Sequence, residues 1–182
     1  MNQIIVHLAE GFEEIEAVTI IDVLRRAGMN VVTVSVTGNQ VVKGAHDIEI
    51  KADLLYDKVD YDGGAMIILP GGMPGAKNLN EHEGLKSQIV NYKNNDKYLA
   101  AICAAPIVLG NLGILKGRRA VCYPGYEAHL TGADILSDSY IVDDKIITGR
   151  GVGAALNFSL EIVRLLKGEE LSLKLRKAML VE

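Results

Sequence analysis

One cysteine of the chain sits where its surroundings favour a nucleophile. Cys103 lies in YLAAICAAPIVLG (98–110), after a run of small apolar residues and before two alanines and Pro106. A thiol attacks only as its thiolate. The thiolate is favoured at a helix start, where unpaired amides and the helix dipole present positive charge. Pro106 suits such a first turn, because the early amides of a helix have no acceptor within it. A sharp turn from strand to helix also crowds its neighbours, which favours alanine, and hydrolases set a nucleophilic serine on a similar elbow. The competing reading is a buried thiol that fills space, as free cysteines commonly do. The local pattern leaves both open.

A thiolate at an elbow needs company. LPGG (69–72) supplies Gly71 and Gly72, whose amides can approach a ligand closely and line an oxyanion hole. A tight turn with unusual dihedrals explains either glycine as well. EGFEEIE (10–16) brings Glu13, Glu14 and Glu16 to a helix start. Interaction with the helix dipole accounts for Glu13 and Glu14. Glu16 is harder to place on that ground, because it lies inside the helix between Ile15 and Ala17. The second cysteine, Cys122, falls in AVCYP with no helix start beside it. It reads as a packed core thiol within a strand, or as a resolving partner for Cys103 if their strands are neighbours.

The elements that must position these groups alternate. Residues 3–9 read as a buried strand. Residues 14–28 follow as a helix, with Ile15, Val18, Ile21 and Leu24 at helical spacing and Gly28 as its stop. Strands are expected at 30–36, 65–72, 97–103 and 118–124, and a hairpin at 139–149 turning at Asp143–Asp144. Helices are expected at 81–95, 105–115, 154–168 and 169–180. Residues 37–50 form a small excursion of strands at a sheet edge. Strands alternating with helices predict a mostly parallel sheet with helices on both faces, in a single domain spanning 1–182. In such folds functional groups gather at the carboxyl ends of the strands. That brings the loops AEGFEE, PGGMPGAKN and CAAP together.

Composition narrows the function. The 182 residues carry a formal net charge of −4 with both signs interspersed, and only 5% of them are aromatic. Neither a basic surface nor stacking platforms for nucleic acid are implied. No stretch approaches the eighteen or so apolar residues that span a bilayer, and the N-terminus lacks the basic start and long apolar core of a signal peptide. A cytoplasmic protein with reduced thiols is expected. His7, His46, His82 and His129 show no spacing of metal ligands, so no metal is expected. GRGVGA (149–154) fits GxGxxA, but two helices follow it and no βαβ unit with its acidic residue. Helix-start packing explains these glycines better than a dinucleotide. No organic cofactor is expected.

Taken together, AEGFEEIEAV…DVLRRAG, ILPGG…GAKNL, LAAICAAP and GRGVGAALNFSLEIV resemble the ThiJ/PfpI family. Within it they are most similar to the branch of the parkinsonism-associated protein deglycase of animals and its bacterial relatives. The resemblance covers essentially the whole chain. It implies a flavodoxin-like α/β fold, a three-layer sandwich with a small edge hairpin, and a homodimer. It makes Cys103 the nucleophile and Glu16 the glutamate that hydrogen-bonds it, with the amides of Gly71, Gly72 and Ala104 facing the reacting oxygen. An ionised Glu16 would repel a thiolate, so the pair works only if Glu16 holds a proton. Two positions depart from the family pattern. Tyr123 stands where many relatives have a histidine, and tyrosine is a poor base near neutral pH. His46 stands where an arginine is frequent. His129 and Glu127 are the candidates to replace the missing base. The family's protease branch has histidine directly after its cysteine; Ala104 here argues against peptidase activity.

The resemblance implies a cofactor-independent glyoxalase or deglycase of stress protection. Cys103 would attack a methylglyoxal-type dicarbonyl or its adduct on a glycated protein. The alternative is an oxidative-stress sensor or chaperone acting through oxidation of Cys103. A third possibility is a binding module that takes an anion at the GGMPGAKN loop and tolerates loss of Cys103.

Overall fold

Apolar residues on both faces of the first strand divide the core in two. In the computed structural model, which describes residues 3–181, β1 (Gln3–Leu8) sends Ile4, Val6 and Leu8 into one buried cluster and Ile5 into the other. Burial on both faces is why the strand reads as a continuous apolar run. The helix α1 (Glu14–Arg26) returns the chain to β2 (Val31–Ser35), parallel to β1. β3 (Val41–Lys43) and β4 (Glu49–Lys51) pair with each other before β5 (Leu54–Leu55) joins β2. β6 (Gly64–Leu69) takes the other side of β1. Next come α2 (Gly75–Glu81), α3 (Glu83–Asn94), β7 (Tyr98–Ile102) and α4 (Pro106–Asn111). β8 (Arg119–Ala120) pairs with β9 (Asp134–Ile135), and β10 (Tyr140–Asp143) with β11 (Ile146–Gly149). Helices α5 (Ala155–Lys167) and α6 (Glu169–Ala178) follow.

The main sheet runs β10-β11-β7-β6-β1-β2-β5, parallel throughout except for the β10–β11 hairpin at one edge. One face carries α1 and α5, whose Ile20, Leu24, Phe158 and Ile162 close over Ile4, Val6, Ile68 and Ile102. On the other face Leu79, Leu85, Ile89 and Val108 close over Ile5, Ile67, Leu69 and Leu99. Each such side chain, fully buried, contributes about 1.5–3 kcal/mol. The result is the expected α/β sandwich of three layers. Because the strands at its centre are parallel, the loops after β1, β6, β7 and β11 emerge at one edge.

Four local features differ from the sequence expectation. Ile15 and Val18 point outward at 57% and 48% exposure, while Ala17, Ile20, Val23 and Leu24 face the sheet. The excursion after β2 folds into its own ribbon, β3–β4, and does not extend the main sheet. The strand expected at 118–124 shrinks to Arg119–Ala120, paired only with β9; Cys122 lies beyond it. The helix expected at 81–95 forms as α3, and a second helix, α2, precedes it with His82 between the two. That residue's Nδ1 accepts the Leu85 amide at 3.0 Å and caps α3, while α2 forms within the expected loop. No helix among the described residues is long and apolar enough to cross a membrane.

Candidate active site

Cys103 follows the last residue of β7 and precedes α4 by two alanines. Its φ is +63°, the left-handed region that few side chains adopt. Such a residue costs about 1–3 kcal/mol and persists only where its surroundings hold it. Here both its backbone groups are held. The Cys103 amide donates to the Gly149 carbonyl at the end of β11, 2.9 Å away. Its carbonyl accepts the Tyr123 amide at 2.8 Å. Small residues crowd the bend, with Ala104 and Ala105 both buried, and Cys103 as a whole is 9% exposed.

Glu16 comes from the first turn of α1 and is fully buried. Its Oε2 accepts the Gly71 amide at 2.9 Å, and its Oε1 has no hydrogen-bond partner. Gly71 lies wedged between Cys103 and Glu16. A Cβ there would stand 2.6 Å from that of Cys103 and 2.8 Å from Glu16 Oε2. Gly72 has a φ of +87°, and a Cβ there would meet the Glu13 amide nitrogen at 2.4 Å. Both conditions require glycine. The Gly71 amide is thus occupied by Glu16, while those of Gly72 and Ala104 interact with the sulfur and favour its thiolate.

The electrostatics couple the pair. Burial pushes the Glu16 carboxyl up to about 7, against the pull of the Gly71 amide and the Cys103 thiol; the charge of Glu13 adds to the rise. Burial, and next the Glu16 charge, push the Cys103 thiol up to about 12. Burial therefore opposes the helix-start effect read from the sequence. The second cause needs an ionised Glu16. When Glu16 is protonated that repulsion is gone, and its O–H can donate to the sulfur. The ionisations of the two groups are thus coupled.

The remaining candidates lie at graded distances. Tyr123 is tied to Cys103 through the main chain, while its ring is half exposed and packs on Tyr126 and Gly151. His129 belongs to a short 3-10 turn beside the far end of α4, where its Nδ1 lies 3.4 Å from Asn111 Oδ1. Glu127 Oε2 accepts the Gly125 amide at 2.8 Å in the same loop. His46 meets the start of α1. Its amide donates to Glu14 Oε1 at 2.6 Å and its Nδ1 lies 2.8 Å from Glu14 Oε2, which raises the imidazole pKa and lowers that of Glu14 against burial. Among the described residues, Glu13, Glu14 and His46 are the one group whose donor atoms are close enough for a cation, within 4.8 Å of one another. Both Glu14 oxygens are already engaged by His46. Cys122 is buried on the opposite side of the sheet from the cluster that holds Cys103. Burial first, then Glu127, push its thiol up to about 11, and the Arg150 charge opposes them.

Sequence reading missed Arg150 and the carbonyl of Gly149. The signal was present: GRGVGA follows a strand that ends beside β7, so its first residues had to border the elbow.

Residues 2–165 match the DJ-1/PfpI family. The chain is 38% identical, over 98% of its length, to Protein DJ-1 homolog B of Arabidopsis thaliana, and spans 41% of that longer protein. It is 33% identical to the glutathione-independent glyoxalase DJR-1.2 of Caenorhabditis elegans, over 88% of this chain and 86% of that one. Its fold superposes on oxidized DJ-1 of Toxoplasma gondii with a TM-score of 0.94 and 35% identity, covering 99% of this chain and 98% of the other.

Proposed function

The chain belongs to the DJ-1/PfpI family, and on that premise we propose that it is a cysteine-dependent glyoxalase acting on methylglyoxal-type dicarbonyls or their adducts on glycated proteins. The observation that carries this reading is the coupling of the Cys103 thiol to a buried carboxyl, Glu16, that holds a proton near neutral pH.

The steps follow from that pair. With the proton on Glu16, the Cys103 thiolate attacks the aldehyde carbon. The amides of Gly72 and Ala104 stabilise the oxyanion that forms. Glu16 returns its proton to that oxygen, giving a hemithioacetal. As a carboxylate it then removes the C–H proton and delivers it to the adjacent carbon, passing through an enediol. The product is a thioester, and water releases lactate and free Cys103. One water is consumed and no oxidant enters. Of the titratable side chains, Glu16 is the one placed against the sulfur, so it carries both transfers without His129 or a histidine at 123. The protein acts without cofactor, as a cytoplasmic homodimer.

A second reading rests on the same amides. They would equally hold the oxygens of a sulfinate formed from Cys103 by two equivalents of peroxide. The Toxoplasma relative is described as oxidized.

Lactate formed from methylglyoxal by the native protein, Cys103→Ser and Glu16→Gln separates the two. Turnover by the native protein alone supports the glyoxalase. No turnover by any of them from pH 6 to 10 overturns it and leaves peroxide titration of Cys103 as the next measurement.

A further inference from the structure

A cleft of about 660 Å³ opens beside the elbow, lined among others by Tyr123, Ser139, Arg150 and Gly151. Two backbone hydrogen bonds tie its walls to Cys103. Gly149, which receives the Cys103 amide, directly precedes Arg150, and Tyr123, whose amide binds the Cys103 carbonyl, forms the facing wall. Arg150 is exposed there. Its Nη1 donates to the Ser137 carbonyl at 2.7 Å, which fixes the guanidinium. Among the described residues no carboxylate lies within ion-pair distance of it, whereas Arg25, Arg26, Arg118, Arg119 and Arg164 each have one. A fixed, unpaired guanidinium in a concave site is the side chain best shaped for a carboxylate, which it binds through two parallel hydrogen bonds. A neutral dicarbonyl such as methylglyoxal makes no use of it.

We propose that Arg150 makes this cleft a carboxylate subsite, so that the preferred substrates are α-oxoaldehydes carrying a carboxylate a few bonds from the reacting carbonyl. The substrate class rests on the glyoxalase reading, whereas the subsite does not. The chemistry at Cys103 is unchanged: one water is added, and the product is a 2-hydroxy dicarboxylate. Reactions that leave an aldehyde beside a ketone on an acidic chain would supply such substrates.

Two measurements test this. The first labels Cys103, in a Cys122→Ser background, with N-ethylmaleimide and with its carboxylated analogue 3-maleimidopropionate. The ratio of the two rates, charged over neutral, falls about tenfold in Arg150→Gln and recovers in part in Arg150→Lys. An equal ratio in parent and Arg150→Gln overturns the subsite, whatever the turnover. The second compares kcat/KM for 4,5-dioxopentanoate and methylglyoxal. A preference for the charged substrate that shrinks about tenfold in Arg150→Gln supports the substrate class. A labelling ratio that moves while neither dicarbonyl is turned over keeps the subsite and overturns the glyoxalase reading.

Discussion

Gly71 and Glu16 are joined by a single hydrogen bond, 2.9 Å from the glycine amide to Oε2. It holds the carboxyl against the nucleophile and leaves Oε1 buried without a hydrogen-bond partner. The same carboxyl is coupled electrostatically to the thiol of Cys103.

That relationship sets the pH dependence of the thiol. The pair loses its first proton near pH 7 and its second near 12, so the singly protonated form spans the interval between. Alkylation of Cys103 by iodoacetamide should rise through about pH 7 and then level. In Glu16→Gln the repulsion is absent, so the thiol ionises below about 12 and the limb near pH 7 disappears. Thiolate absorbance against pH checks both; an unmoved thiol titration in Glu16→Gln would sink the coupling.

His7 sets the response to acid. It is fully buried in β1, its Nε2 lies 2.8 Å from the Tyr61 hydroxyl and its Nδ1 has no partner. Burial, with the charge of His82, lowers its pKa to about 3. The unfolded chain takes up the proton first, near 6.5. Stability from His7 is thus complete above pH 6.5 and is lost as pH falls to about 3, on the order of 5 kcal/mol in all. Urea unfolding of the native protein and His7→Gln should show the native protein losing that much more between pH 6.5 and 3. Parallel curves would refute it.

Gly71→Ala tests the wedge. The new methyl would stand 2.6 Å from Cys103 Cβ and 2.8 Å from the Ile102 carbonyl, both on rigid backbone. Overpacking of this kind costs about 1–3 kcal/mol. Displacing the nucleophile should lower kcat about a hundredfold. Full activity would mean that Cys103 has room the structure does not give it.

Tyr123→His tests the proton step. The Tyr123 amide anchors to Cys103 whatever side chain it carries. An imidazole there adds a base that titrates near 6.5, and kcat for methylglyoxal should rise about tenfold or more. An unchanged kcat would mean that Glu16 already moves the proton without limiting the rate.

What the sequence made legible and what it did not follow from the range of the interactions. The elbow was readable because its signals are local: small residues before Cys103 and Pro106 at the first position of α4. Glu16 was readable as an anomaly, a carboxylate inside a helix between Ile15 and Ala17 that the helix dipole does not explain. The outward Ile15 and Val18 were not, because helical spacing defines a stripe without saying which stripe meets the sheet. The strand around Cys122 failed for a different reason. Its β-forming residues find a partner only at Arg119–Ala120, and that partner, β9, lies more than ten residues later. The place of His129 depends on how the loop after β8 crosses α4, which no local pattern encodes.

Cys103 is fastened to Gly149 and to Tyr123 by peptide groups alone. The placement of Cys103 is therefore inherited from the chain trace and owes nothing to the side chains at 123 and 150. Those two positions can be exchanged as tools are changed in a fixed chuck. Substitutions there are expected to change what the thiol meets without changing how it is held, and the labelling rate of Cys103 across a small library at these positions would test this.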